Sequence, residues 1–157
     1  MQQWIESEKI SVSKSIVKPR ADAVAGMLWH IHGHVRELAL ETLSRLLRTY
    51  PTIRNDQTEA FLSKLEDEKW YVREAALLVL GKLPPEELVD NAGSVIHSLN
   101  DTEKSVRIAA LNTLQSLPED FLSSVLIEHH DALSNLKYDD VIMLKTQSIE
   151  LHTEHSI

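Results

Sequence analysis

Histidine is the residue type in this chain whose spacing could support chemistry. Three histidines lie close together in one stretch, at positions 30, 32 and 34. If that stretch were helical, His30 and His34 would share one face, and two imidazoles spaced in this way can bind a divalent metal ion. No carboxylate or cysteine accompanies them at the same spacing. A small metal-binding protein or metalloenzyme that uses the histidine clusters is therefore kept as an alternative hypothesis, while no metal ligand and no cofactor is assigned.

Other chemical signatures are missing from the sequence. The chain contains no cysteine, which excludes disulfides and thiolate sites and favours a reducing, intracellular environment. No Ser-His-Asp spacing, glycine-rich phosphate loop or nucleotide fingerprint is present. We expect His129, in the pair with His130, to be a partly buried histidine with local hydrogen bonds. Catalysis is not expected, and a cytoplasmic location is expected with a nuclear one left open.

The first histidine cluster lies in one copy of a pattern that the chain repeats. Val35, Val72 and Val106 are each followed by arginine and are separated by 37 and then 34 residues. In each copy the residues three, four, five, eight and eleven positions after the valine are apolar, and such steps indicate one buried helix face. A leucine seven residues before each valine ends a first amphipathic helix. The core predicted in this way includes Leu38, Ala75, Ala109, Leu43, Leu80 and Leu114. A fixed period of this size predicts a stack of helical hairpins.

The turn and second helix of this unit, read at Asp67–Leu80 and Asp101–Leu114, resemble the HEAT-repeat family. The resemblance implies an all-α fold, an α-α superhelix or HEAT-like solenoid of about four helical hairpins. In unit two we expect a loop over residues 52–55, and in unit three an unbroken first helix up to Leu99. The predicted boundaries are an N-terminal cap or arm at 1–19, a single repeat domain at 20–151 with units of about 20–51, 52–84, 85–118 and 119–151, and a frayed tail at 152–157.

The family pattern also implies a ladder of charged side chains between stacked units. It places an acid in the turn and an arginine at the start of the second helix, which here are Asp67 with Arg73 and Asp101 with Arg107. An aspartate in that turn can also accept backbone N–H groups that a tight turn would leave unpaired. Unit one departs from this pattern because His30 replaces the acid.

Two kinds of HEAT-like enzyme have sequence features that do not fit this chain. Deoxyhypusine hydroxylases hold a di-iron centre with paired His-Glu dipeptides, whereas none of the eight histidines here is followed by glutamate. HEAT-like alkylpurine glycosylases need a basic concave face over DNA, and the charge of this chain has the opposite sign. A non-enzyme is therefore expected.

The charge of the chain is acidic and uneven. The formal net charge is -8, and the first 50 residues are slightly basic while the remainder is strongly acidic. This argues against a nucleic-acid partner, whose phosphates require a basic surface, and makes a basic peptide or protein face the better match. No apolar run approaches the length needed to span a bilayer, so no membrane partner is expected.

Apolar residues at outward-facing positions of the second helices predict a docking patch. Leu78 and Val79 stand six and seven residues after their valine, where the other units hold polar residues, and Ile108 replaces glutamates of the other units. Trp70 and Tyr71 in the second turn are further anchors. We expect a non-catalytic scaffold or adaptor that binds a partner segment along this inner, helix-B surface. Packing against a neighbouring repeat remains an alternative for the leucine and valine, and plugging of the hairpin corner remains one for the aromatic residues. The chain is expected to be a monomer or to self-associate weakly through an incompletely capped end.

Overall fold

The computed structural model describes residues 13–156, together with the isolated residues 3 and 11. The described part of the chain contains ten α-helices and no strand, which confirms the predicted all-α class. A π-helical turn, Ser13–Val17, precedes the first of them. The helices are α1 (Lys18–Met27), α2 (Gly33–Thr49), α3 (Pro51–Ser63), α4 (Trp70–Leu80), α5 (Pro85–Asp90), α6 (Ala92–His97), α7 (Lys104–Gln115), α8 (Glu119–Glu128), α9 (His130–Ser134) and α10 (Ile142–His155). The predicted N-terminal arm lies mostly outside the described residues.

The helices pack in the order in which the chain visits them. Each first helix packs on the second helix of its own unit, and extensive contacts between described helices otherwise join consecutive units. The second helices of units two and three, α4 and α7, share the most extensive interface. This succession is a helical solenoid of the HEAT-like kind that the repeat predicts.

The positions four and eight residues after the repeated valine form the core. Both positions are buried in all three copies: Ala39, Ala76 and Ala110, and Leu43, Leu80 and Leu114. The alanines are small enough to let neighbouring helix axes approach closely.

Position three after the valine shows where a core prediction was wrong. Ala75 and Ala109 are buried, but Leu38 is 64% exposed. Ala75 lies against α2 of the preceding unit, so this position faces the preceding second helix. Among the described residues, no repeat unit precedes α2, and Leu38 therefore faces outward.

Prolines begin the first helices of units two to four. Pro51 is the first residue of α3 and follows α2 almost directly, so the predicted loop over residues 52–55 is wrong. The fixed φ of proline suits a first helical turn, which explains why no separate loop is needed. Pro84 and Pro118 precede α5 and α8 in the same way.

The first helix of unit three is interrupted, contrary to prediction. Asn91, at φ -111° and ψ 8°, separates α5 from α6. Its side-chain amide donates to the Glu87 carbonyl at 2.7 Å, which satisfies a carbonyl that the broken helix would otherwise leave unpaired. His129 interrupts the first helix of unit four at a similar backbone geometry.

The last helix extends beyond the predicted domain end at Leu151. α10 continues through His155, and the hydroxyl of Ser156 donates to the His152 carbonyl at 2.7 Å. Neither proline nor glycine follows Leu151 to stop the helix. Within the described part of the chain, no helix has the length and apolar character that crossing a membrane would require.

Candidate protein-docking surface

Arg73 connects two consecutive turns of the solenoid. Its Nε and Nη2 atoms donate to the two carboxylate oxygens of Asp101 in the next unit, each at 2.7 Å. Its Nη1 atom donates to the backbone carbonyls of Asp67 and Glu68 in its own turn, at 2.9 and 3.3 Å. Arg73 therefore contacts the backbone carbonyl of Asp67, whereas its bidentate bond is formed with the carboxylate of the following unit.

Arg107 repeats this arrangement one unit later. Its Nε and Nη2 atoms donate to the Asp140 carboxylate at 3.0 and 2.9 Å, and its Nη1 atom donates to the Asp101 and Thr102 carbonyls. The guanidinium also lies over the Tyr138 ring, 3.8 Å from its centroid. The sequence did not identify Asp140 as a ladder residue, because the shorter turn of unit four places this acid directly before Val141, whereas Asp67 and Asp101 stand five residues before their valines.

These contacts hold the ladder acids in their charged form. Burial raises the pKa of Asp101, but hydrogen bonds from Arg73 and from the Glu103 N–H outweigh it, and the net pKa is lowered. The hydrogen bonds from Arg107 lower the pKa of Asp140. Carboxylates committed to arginines in this way have a structural role and are poorly suited to proton transfer.

The step between units one and two has no charged rung. Arg36 donates to the His30 and Ile31 carbonyls, both at 2.9 Å, and its guanidinium lies 5.0 Å from the centroid of the Tyr71 ring. A cation–π contact therefore stands where the later units have a bidentate ion pair.

Asp67, the acid that would complete that step, is engaged locally. Its carboxylate accepts from the Lys69 backbone N–H at 3.1 Å and from Lys64 Nζ at 3.3 Å. The Lys69 bond is the main cause of the lowered pKa of Asp67. The first turn and the second turn are thus linked less tightly than the turns that follow.

The first histidine cluster has the geometry of an exposed turn. The ring centroid of His32 lies 5.2 Å from that of His30 and 5.8 Å from that of His34. The backbone N–H of His32 donates to His30 Nδ1 at 3.2 Å, which leaves His30 a single free ring nitrogen. The described residues contain no group of three or more side chains placed to hold a metal ion.

His130 of α9 and His152 of α10 form a second pair of histidines. Ser148 is fully buried and donates its hydroxyl to the Leu126 carbonyl at 2.8 Å, while its oxygen lies 3.2 Å from His130 Nδ1. The other ring nitrogen of His130 contacts Ser134 at 3.3 Å. The His152 ring stacks on His130 at a centroid distance of 4.1 Å. The ring hydrogen bonds of this region therefore belong to His130, while the neighbouring His129 is half-buried beside Gly93.

Three of the predicted docking residues are exposed on the surface. The exposed fractions are 37% for Leu78, 39% for Ile108 and 42% for Trp70. Tyr71 is half-buried. Its ring is nearly perpendicular to that of Trp70, at a centroid distance of 5.8 Å, and Arg36 lies over its face. Trp70 and Tyr71 thus form a corner in which the tryptophan is the accessible member.

Val79 does not belong to the docking patch, and this prediction is corrected. It is 1% exposed. Thr113, at the same position of α7, donates its hydroxyl to the Leu77 carbonyl of α4 at 2.9 Å. The position seven residues after the valine therefore faces the preceding second helix and is covered by the stacking of units.

A groove between α2 and α4 is a concave feature that the sequence analysis did not predict. Two adjoining cavities, of about 170 and 460 Å³, share Glu37 and Leu40 in their walls. Their other lining residues are Leu28, Gly33, Arg36, Glu41, Ser44, Arg45, Arg48, Glu74, Ala75, Leu78 and Lys82. Six of the thirteen lining residues lie two, six or ten residues after the repeated valine. The spacing could have identified the face, but its residue types differ between copies, so a search for repeated apolar positions passes over it.

The charged side chains that line the groove differ in burial and in ion pairing. Burial raises the pKa of the Glu74 carboxyl, and the nearby Arg36 only partly opposes this effect. Glu41 and Arg45 lie 3.6 Å apart and are both largely exposed. Within the part of the chain that the structure describes, neither Arg48 nor Lys82 takes part in an ion pair.

Comparison with known proteins identifies the family. A sequence model of the family described as Cnd1, non-SMC mitotic condensation complex subunit 1, matches residues 34–153. The match covers about three quarters of the chain and includes the second helix of every unit. No curated protein and no solved structure matches the chain. The HEAT-like resemblance is confirmed, and the chain belongs to the Cnd1 family of non-SMC mitotic condensation complex subunits.

Proposed function

We propose that this chain is a non-catalytic scaffold that holds a protein partner along the B face within a multi-subunit assembly. The B face is defined here as the residues two, six and ten positions after the repeated valine of units one to three, together with Leu40, Arg48 and Trp70. The family is described as a subunit of a mitotic condensation complex, which supports a role in a protein assembly. A repeat solenoid suits such a role because its extended surfaces can hold a long segment of a partner.

The single observation that carries the proposal is the exposure of apolar side chains on this face. Leu78 and Ile108 are accessible at positions where the other copies hold glutamate or asparagine. Trp70 is accessible at the start of α4, and exposed tryptophans often anchor protein interfaces. Apolar side chains kept on an otherwise polar face favour a partner that covers them.

The state of the charged groups supports a scaffold over an enzyme. Asp101 and Asp140 are bound by arginines, and His130 is bound by two serines. These groups stabilise the stacking of units and the corner of unit four. Their bonds explain why acids and histidines occur at these positions without any catalytic role.

The experiment compares partner capture by matched variants. We expect Leu78→Asp together with Trp70→Ala to preserve the far-ultraviolet circular dichroism spectrum but to reduce the recovery of co-purifying complex subunits about tenfold. Leu38→Asp is the control, because Leu38 is an equally apolar and more exposed residue that lies outside the B face. Unchanged recovery with the double variant, or an equal loss with Leu38→Asp, would show that the B face is not the docking surface.

A further inference from the structure

The groove on the B face of units one and two has an acidic end and a basic end. Glu37 and Glu74 line it near the start of α2 and α4, with Arg36 close to them. Arg48 and Lys82 line it near the helix ends, where Arg45 is paired with Glu41. Leu40 and Leu78 stand between the two ends, within the walls of the groove. The two cavities share Glu37 and Leu40 in their walls, so the charged ends and the apolar centre line adjoining parts of one groove.

The groove exists because α2 and α4 are packed less closely than α4 and α7. Between α4 and α7, the Thr113 hydroxyl reaches the Leu77 carbonyl at 2.9 Å. A Cβ atom added at Gly81 would lie 3.4 Å from that hydroxyl, in van der Waals contact with it, so the two helices are closely packed there. Between α2 and α4, the glutamates, arginines and Lys82 line open cavities instead.

We propose that this groove binds a protein segment with an apolar centre, a basic side chain at the Glu37 and Glu74 end, and an acidic side chain at the Arg48 and Lys82 end. The inference rests on the proposed scaffold function and specifies the partner of the same face. From Arg36 to Arg48 the groove follows α2 for about 18 Å, at about 1.5 Å per residue. This length accommodates about twelve helical residues or about five to six extended ones.

Charge complementarity selects this occupant over a uniformly basic one. The net charge of the chain is -8, which alone would favour a basic partner. Charges beyond about 8 Å are screened at physiological ionic strength, so a bound segment responds mainly to the groups that line the groove. At one end it meets the desolvated Glu74 carboxylate, and at the other it meets two cations that have no ion-pair partner among the described residues.

The charges also suit the macrodipoles of α2 and α4, since acids lie near the helix starts and bases near the ends. That effect explains their signs without a ligand. It does not explain why Leu78 stays exposed between them or why Glu74 is held in a partly desolvated position. The experiment therefore has to change the charges one at a time and measure binding.

The test uses four fluorescein-labelled peptides of twelve residues and the full chain, with binding measured by fluorescence anisotropy at physiological ionic strength. Three peptides have a leucine centre and carry, respectively, lysines at one end with glutamates at the other, lysines at both ends, or glutamates at both ends. The fourth has the mixed charges with serines in the centre. We expect the mixed peptide with leucines to bind about fivefold more tightly than the others, as a few partly exposed ion pairs would give.

Single variants should switch the preference. Glu74→Lys should make the peptide with glutamates at both ends the tightest ligand, and Lys82→Glu should do the same for the peptide with lysines at both ends. Leu78→Ser should weaken all leucine peptides. Glu59→Lys and Lys137→Glu are matched controls that change the net charge equally on exposed residues outside the groove, and they should leave the order unchanged.

Two results would contradict the groove proposal. If the peptide with two basic ends binds best and Lys82→Glu does not alter the order, the chain's overall charge determines binding and the groove proposal is wrong. If no peptide binds, the proposal is also wrong. In either case, capture that still depends on Leu78 and Trp70 would leave the scaffold function standing, whereas capture that does not depend on them would overturn both.

Discussion

The guanidinium of Arg73 holds both carboxylate oxygens of Asp101 at 2.7 Å, although the two residues belong to different repeat units. The same guanidinium binds the carbonyls of Asp67 and Glu68 in the turn before its own helix. One side chain therefore fixes the spacing and orientation of two successive turns. This relationship determines how units two and three stack and predicts how the solenoid responds to substitution and to acid.

Replacement of Arg73 should destabilise the chain substantially. We expect Arg73→Ala to lower the free energy of unfolding by about 2–4 kcal/mol, because it removes a bidentate bond and leaves Asp101 and two turn carbonyls without their donor. Arg73→Lys should recover only part of this loss, since an ammonium group cannot form the planar fork. Urea denaturation followed by circular dichroism measures both values. Arg48→Ala, at an exposed site, is the control, and an equal effect at the two sites would contradict the prediction.

Acid should weaken the stacking of units two to four. The folded-state pKa values of Asp101 and Asp140 are lowered, whereas the unfolded carboxyl group titrates near about 3.9. The unfolded chain therefore takes up protons first, so the stabilisation is fully present above that value and is lost as pH falls through the folded pKa values.

The Asp101→Asn variant tests this linkage. Its free energy of unfolding should fall below that of the natural chain at pH 7. The difference should narrow as pH falls below about 4, because the unfolded natural chain takes up a proton at Asp101 before the folded chain does. Glu59→Gln, an exposed carboxyl, should show a small difference at all pH values. A difference that is constant with pH would show that the charge of Asp101 is not the stabilising property.

Two leucines at apolar repeat positions should differ strongly in their effect on stability. Leu80 is fully buried, so Leu80→Ala should cost about 2–5 kcal/mol through lost apolar burial and the cavity left behind. Leu38 is largely exposed, and Leu38→Ala should change stability by about 0.5 kcal/mol or less. Chemical denaturation of both variants provides the comparison. Equal losses would mean that α2 is covered on its outer side.

The Thr113 hydroxyl should stabilise the α4–α7 interface. Thr113→Val keeps the shape of the buried side chain but removes its bond to the Leu77 carbonyl, and we expect a loss of about 1 kcal/mol. The loss is limited because that carbonyl also accepts from the Gly81 N–H at 3.0 Å. Thr153→Val, which removes an exposed bond within α10, is the control and should have a smaller effect. Thermal melting distinguishes them, and a more stable Thr113→Val variant would contradict the prediction.

Much of the fold follows from the repeated valine and the spacing of leucines after it. These positions predict which side of each second helix is buried, and Leu43, Leu80 and Leu114 lie at the centre of the core as expected. The interruptions at Asn91 and His129 were not predicted. At Asn91 the side chain bonds to the Glu87 carbonyl, a local contact that apolar periodicity does not report.

The candidate site was less predictable. Exposed Leu78, Ile108 and Trp70 lie on the surface that the sequence favoured, while Val79 is buried against the preceding unit. The spacing after the valine could have identified the face that lines the groove, but not the groove itself, because no sequence pattern encodes the separation of α2 and α4. The partner of Arg107 was missed for a related reason: Asp140 comes from a turn of different length.

The sequence by itself determined that this protein is a row of helical hairpins with a shared apolar core, because the period of a helix fixes which residues share a face. Only the tertiary structure decided which neighbour each face meets and how closely. It sends Arg73 to the next unit, turns Val79 inward, leaves Leu38 uncovered and opens a charged groove between the first two second helices. The reason is physical: periodicity describes a helix about its own axis, whereas distances between helices depend on the side chains that meet when the units stack.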